Sequence, residues 1–326
     1  MRPICSGSGS AFENVSRFVE HHIKDHATKH PTYIEDTPDF LRYLEEINQE
    51  GNLPNNATLV TVDVKGLFTN IPNEDGIKAT EETLNKRKEK EVGTEILVRL
   101  LTLILENNIM EFNEEYYKQD IGAPMGSRPV PPYANNFMAK FIDPKLLEIA
   151  KQFIKDGIFP IKLLKRFLDD LFLIWLGTTK RLHLFFKEIN KIHPNIKFTM
   201  KHTSSRGETD KDKCSCDTAD SIPFLDTSVK IQNGKLIVDL FKKATDMNQY
   251  LLTNSIHPPE CFKSIPFSLA LRINRICSIP ETRNKRLQEL KDFLIARKYK
   301  SSLIDAAIRR ATAIPRAIAL KKGGEI

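Results

Sequence analysis

Apolar residues recur at helical spacing in two stripes near the start of the chain. Phe12, Val15, Phe18, Val19 and Ile23 form one, and Phe40, Leu41, Leu44 and Ile47 form the other beyond Thr37-Pro38, so residues 11–50 are expected to be helical. After the turn signal Pro54-Asn55-Asn56 the pattern changes to a β-branched run, Thr58-Leu-Val-Thr-Val-Asp-Val64, which predicts a buried strand. A charged helix opening at Asp75-Gly76 and running to about Glu91, a second helix over Glu95–Asn107 and a short hairpin over Ile109–Tyr117 follow. Gly122–Pro132 holds four prolines and two glycines in eleven residues, so its start cannot be regular helix; Tyr133–Ala150 returns to helical spacing. Lys162–Trp175 reads as strand, turn and strand around an Asp-Asp pair. Beyond it lie an amphipathic helix (Leu182–Ile192), a strand (Ile196–His202) and a polar loop (Ser204–Asp220). Phe224–Lys242 reads as two strands joined at Asn233-Gly234, a strong hairpin signal. Past Pro266 the spacing is helical again over Leu269–Ile276, Arg283–Lys298 and Ser302–Leu320.

Composition changes this picture in two respects. With 326 residues and 40% hydrophobic content the chain can bury a core in two or three domains, which excludes disorder throughout. The net charge of +7 is unevenly placed: from Cys261 onward it is +10, leaving −3 for everything before. A basic helical module on a slightly acidic body fits nucleic acid as partner, or else a solvated Lys/Arg-rich surface. Cys5, Cys214, Cys216, Cys261 and Cys277 are too scattered for a disulfide framework and read as reduced thiols of an intracellular protein. No run approaches the ~18 apolar residues of a membrane span.

Two acidic features stand out for their apolar neighbours. Asp63 lies within Leu59-Val-Thr-Val-Asp-Val64, and Asp169-Asp170 within Phe167-Leu-Asp-Asp-Leu-Phe-Leu173. A carboxylate buried in such a strand needs a partner, and a divalent cation is one. Mg²⁺ takes oxygen ligands and is commonly held by one or two carboxylates plus substrate phosphates. Two ions about 4 Å apart support nucleotidyl transfer to a 3′-hydroxyl. By themselves these residues leave two readings open, a metal site or a solvated hairpin tip.

The residues around them carry a resemblance. Asp63-Val-Lys-Gly-Leu-Phe68-Thr-Asn-Ile-Pro resembles the first catalytic motif of reverse transcriptases. Gly122-Ala-Pro-Met-Gly126-Ser, followed by Tyr133-Ala-Asn-Asn-Phe-Met138, resembles the glycine loop and helix of the next, and Phe167-Leu-Asp169-Asp170 the aromatic-x-Asp-Asp hairpin. Together with Arg2-Pro-Ile-Cys-Ser6, His193-Pro-Asn-Ile-Lys-Phe-Thr199, Ile222-Pro-Phe-Leu-Asp226, Ser255-Ile-His-Pro258 and Arg272-Ile-Asn-Arg-Ile-Cys-Ser278, the wording is similar to the reverse transcriptases of Penelope-like retroelements.

The resemblance implies an α+β polymerase right hand: an antiparallel palm sheet backed by helices, a helical thumb and partial fingers. The expected segments are 1–57 (partial fingers and entry helices), 58–243 (palm) and 244–326 (basic thumb). It implies RNA-directed DNA polymerase activity with two Mg²⁺ ions on Asp63, Asp169 and Asp170. Phe68 would exclude a ribose 2′-hydroxyl, Gly122 and Gly126 would admit the incoming dNTP, and Arg2 would contact phosphate or template. Arg272, Arg275, Lys285 and Arg286 would grip a primer annealed to an RNA or DNA template, in a nuclear setting and without a membrane. The chain departs from the family in beginning at Arg2 and in ending without a GIY-YIG endonuclease, so truncated fingers are expected. Pro124, Pro129 and Pro132 alter the glycine loop. A catalytically inert nucleic-acid-binding remnant is therefore the rival reading, and a helical scaffold for protein contacts a third.

Overall fold

A computed structural model describes residues 4, 7–51, 53–54, 57–203 and 218–321. In chain order the helices are α1 (Glu13–Ala27), α2 (Thr37–Glu50), α3 (Leu67–Asn70), α4 (Asn73–Asn85), α5 (Thr94–Glu106), α6 (Val130–Phe137), α7 (Asp143–Lys151), α8 (Thr179–Ile189), α9 (Pro259–Ile276), α10 (Pro280–Ala296), α11 (Ser301–Thr312) and α12 (Arg316–Ala319). The strands are β1 (Ala57–Val64), β2 (Ile109–Phe112), β3 (Glu115–Lys118), β4 (Ile161–Phe167), β5 (Asp170–Leu176), β6 (Phe198–Thr203), β7 (Thr218–Ala219), β8 (Ile222–Phe224), β9 (Thr227–Gln232) and β10 (Lys235–Leu240). A π-helical turn, Met138–Ile142, joins α6 to α7.

The chain divides into two compact units, residues 1–35 with 60–217, and 36–59 with 218–326. Contacts gather the chain differently from the segments 1–57, 58–243 and 244–326 anticipated above. Among the described residues no helix is long and apolar enough to cross a membrane.

In the first unit β4, β5, β1 and β6 lie side by side in that order. β1 runs antiparallel to β6, with Asp63 opposite Thr199, and β4 antiparallel to β5, with Phe167 opposite Asp170. Val60, Val62, Leu171, Leu173 and Trp175 from these strands share one core with Leu97, Leu101, Phe137 and Phe185 from the helices. The Asp-Asp hairpin thus turns on only two residues, Leu168 and Asp169. Leu168 sits there at φ +54°, in the left-handed region that costs a branched side chain energy.

In the second unit β8, β9 and β10 form a three-stranded sheet. The β9–β10 turn is Asn233-Gly234, with φ +52° and +71°, the backbone an Asn-Gly hairpin demands. The Asn48 side chain on α2 both donates to and accepts from the Leu236 backbone, and Phe40 lies 4.7 Å from Phe224 ring to ring. Leu287, Leu290 and Leu294 supply the buried stripe of α10.

Several boundaries differ from expectation. α4 stops at Asn85 rather than near Glu91, because no apolar residue follows Leu84 until Val92, and Arg87 instead folds back onto the Leu84 and Val92 carbonyls. α9 starts at Pro259 and passes through Pro266. The anticipated helix over Ser302–Leu320 breaks at Pro315 into α11 and α12. α8 begins earlier than Leu182, where the Thr178 hydroxyl accepts from the Arg181 amide.

Candidate active site

The strand and the hairpin that carry the three aspartates adjoin. β1 neighbours β5, and the Val64 amide donates to the Asp169 carbonyl across 3.2 Å, so the residue after Asp63 is bonded directly to the hairpin turn. Strand alternation sets the direction of the side chains: Val62 and Val64 are buried, and Asp63 between them is exposed. The expectation that Asp63 is a buried carboxylate in want of a partner is therefore corrected. Asp169 and Asp170 are half-buried.

Their all-oxygen donor set suits Mg²⁺, and one or two carboxylates suffice when phosphates complete the shell. As they stand, no three Asp, Glu, His or Cys side chains among the described residues form a group that could hold a metal ion.

Immediately after Asp63 the chain turns at Gly66 (φ +60°) into α3, and Phe68 on that turn packs half-buried against the core. The glycine loop docks onto the same turn. The Ala123 amide donates to the Phe68 carbonyl at 2.7 Å, and a Cβ on Gly122, whose φ is +78°, would stand 2.6 Å from that carbonyl oxygen and from the Thr69 backbone. Two segments about 55 residues apart are so brought together, and only glycine permits the approach. Gly126 also has a positive φ, +106°. α6 then starts at Val130 behind Pro129.

Sequence reasoning missed the polar group behind the hairpin. Arg166, at the end of β4, is fully buried. Its Nε and Nη2 reach the Asp143 carboxylate at 3.0–3.2 Å, and its Nη1 donates to Asn135 Oδ1 at 2.8 Å and to the Leu168 carbonyl at 3.0 Å. The Thr32 hydroxyl also donates to Asp143, and the Thr32 carbonyl accepts from the Arg166 amide. A signal was present: Arg166 stands in the apolar run Leu163-Leu-Lys-Arg-Phe167, where a charge demands a partner as surely as an aspartate would.

Of the four basic residues singled out in the second unit, three are engaged at home. Arg286 donates to Asp239 at 2.7 and 3.1 Å and to Glu289 at 3.0 and 3.2 Å. Burial pushes the Asp239 carboxyl up, but hydrogen bonds from Arg286 and the Leu240 amide outweigh it and hold the group below the usual range. Arg272 pairs with Asp226 at 2.7 Å, and Arg275 donates to the Ala319 carbonyl at 2.7 Å. Lys285 is exposed. Cys277 is buried beside Asp239, its thiol pushed up to about 12 mainly by that burial, and both Cys261 and Cys277 are free thiols. Arg2, Cys5, Cys214 and Cys216 lie outside the described residues.

A family model described as an animal helix-turn-helix domain matches residues 249–309, a stretch holding α9, α10 and most of α11. None of the curated proteins matches the sequence. Among solved structures the chain is similar to telomerase from Candida albicans with a TWJ fragment of telomeric RNA, at 10% identity and a TM-score of 0.59, over 92% of this chain and 48% of that one. It is similar also to telomerase from Candida tropicalis with the corresponding fragment, at 12% identity and a TM-score of 0.51, over 93% and 47%. The chain spans about half the length of the structures it matches. The likeness is one of fold: the chain has a mixed α and β right-hand polymerase fold.

Proposed function

We propose that the chain is an RNA-directed DNA polymerase domain of a Penelope-like retroelement, extending a primer 3′-hydroxyl with dNTPs on an RNA or DNA template. The observation that carries this reading is the Val64–Asp169 backbone bond, which sets the first-motif strand against the Asp-Asp turn within a polymerase fold. Asp63, Asp169 and Asp170 would hold two Mg²⁺ ions, which when bound neutralise charge developing at the phosphates. Phe68 would stand where a 2′-hydroxyl would lie, and Gly122 and Gly126 would leave the backbone accessible to the nucleotide. Arg2 would reach template or phosphate. Lys285 and Arg272, both exposed, would contact primer–template phosphates, with Arg275 and Arg286 setting the helices that present them. Residues 1–57 would serve as fingers and entry helices, 58–243 as palm and 244–326 as thumb, and retroelement biology would place the protein in the nucleus.

A second reading, an inert nucleic-acid-binding remnant, is favoured by the prolines of the glycine loop, Pro124, Pro129 and Pro132, which remove backbone donors where a nucleotide would dock. Primer extension on an RNA template with dNTPs and Mg²⁺, beside an Asp169→Ala control, separates the two. Extension that disappears in the control supports the polymerase. Salt-sensitive binding without extension, equal in both proteins, supports the remnant.

A further inference from the structure

We infer that Arg166 is a positioning residue whose buried guanidinium sets the Leu168–Asp169 turn and thereby aims the Asp169 carboxylate; this rests on the reading of Asp169 given above. Leu168 occupies a left-handed backbone conformation, which persists only where its surroundings over-determine it. What holds it is on both sides of the peptide chain. The Leu168 carbonyl accepts from Arg166 Nη1 at 3.0 Å, and the next carbonyl, that of Asp169, accepts from the Val64 amide at 3.2 Å.

The guanidinium cannot shift to follow a moving turn. Asp143 grips it from one side, Asn135 from another, and Arg166's own backbone is pinned by the Thr32 carbonyl and by the Ile34 amide, at 2.6 and 3.0 Å. With no exposure to solvent, none of these bonds competes with water. Lysine at 166 would keep the charge and lose the fork, which is the part that addresses Asp143, Asn135 and Leu168 together.

The test compares the full chain with Arg166→Lys and Asn135→Ala. Hydrogen exchange should show the Val64 amide opening at least tenfold faster in Arg166→Lys, with the other β1 and β6 amides unchanged. Mn²⁺ titration followed by electron paramagnetic resonance should show at least tenfold weaker binding. In primer extension kcat should fall at least tenfold while the dNTP KM holds. Asn135→Ala, which leaves the Asp143 pair in place, should move the same three quantities by a smaller factor and answers the question if Arg166→Lys does not fold. A uniform rise of exchange across β1 and β6, or an unchanged Val64 amide with unchanged Mn²⁺ affinity, overturns the inference. A wild-type chain that extends no primer would defeat the polymerase reading, while exchange and Mn²⁺ binding would still decide the role of Arg166.

Discussion

The backbone amide of Val64 donates to the carbonyl of Asp169 across 3.2 Å. Asp63 is next to the donor, and its carboxylate belongs to neither the core nor the ladder, since it is exposed on the face opposite Val62 and Val64. Stability and chemistry should therefore separate at this position. Asp63→Asn is expected to leave unfolding free energy within about 0.5 kcal/mol of wild type. Primer extension should fall by about three orders of magnitude, or roughly 4 kcal/mol of transition-state stabilisation. Urea unfolding and single-turnover extension measured on the same preparations check both halves.

Gly122→Ala should do the opposite and damage the frame first. The added methyl would meet the backbone of Phe68 and Thr69 at 2.6 Å, at a φ that alanine resists. A loss of about 1–3 kcal/mol is expected, seen as a lowered urea midpoint with an unchanged m-value. Because the displaced segment carries Phe68, discrimination between dNTPs and rNTPs should weaken in the same variant.

Tyr133 is buried on α6, and its hydroxyl has no hydrogen-bond partner among the described residues. Desolvation drives that phenol far above its usual range, so it stays neutral at any working pH. Tyr133→Phe removes the orphaned oxygen and should be neutral or stabilising by about 1 kcal/mol. Gly76→Ala would place a methyl 2.1 Å from the same ring and should destabilise. Thermal melts of the two variants should move in opposite directions, or with Tyr133→Phe flat.

Asp239 carries an acid-stability prediction. Its carboxyl is held below the ordinary value in the folded chain, so the stability it contributes is present above the unfolded pKa of about 4 and is lost as pH falls through the folded value. Arg286→Gln removes the main force opposing burial. Unfolding should cost about 2 kcal/mol less at pH 7, and the share of the acid loss that Asp239 contributes should shrink or disappear, because its folded pKa rises toward the unfolded value. Urea titrations between pH 7 and pH 3 test this.

Much of the frame was legible because it rests on period and punctuation. The β-branched run at 58–64, the apolar strands flanking Asp169-Asp170 and the Asn233-Gly234 turn each follow from a local rule. What stayed hidden depends on partners distant in sequence. Nothing near Asp239 announces Arg286, and nothing near Arg166 announces that Asn135 and Asp143 will meet it. The direction of Asp63 was legible in principle, since alternation with Val62 and Val64 already turns it away from the core. The apolar neighbours drew attention to the strand and away from its two faces.

The π-helical turn at Met138–Ile142 lies between Asn135 and Asp143, the two side chains that meet Arg166. Eight steps along an ideal α-helix would leave them about 80° apart around the axis. The wider turn absorbs one residue, so the eight count as seven, close to two full turns, and both side chains come round to the same side. The irregularity works as a phase correction. Relaxing the turn to regular α-helix with every residue kept would leave the helix intact while rotating Asp143 about 80° out of step with Asn135, whereas deleting one residue there would keep the two in phase.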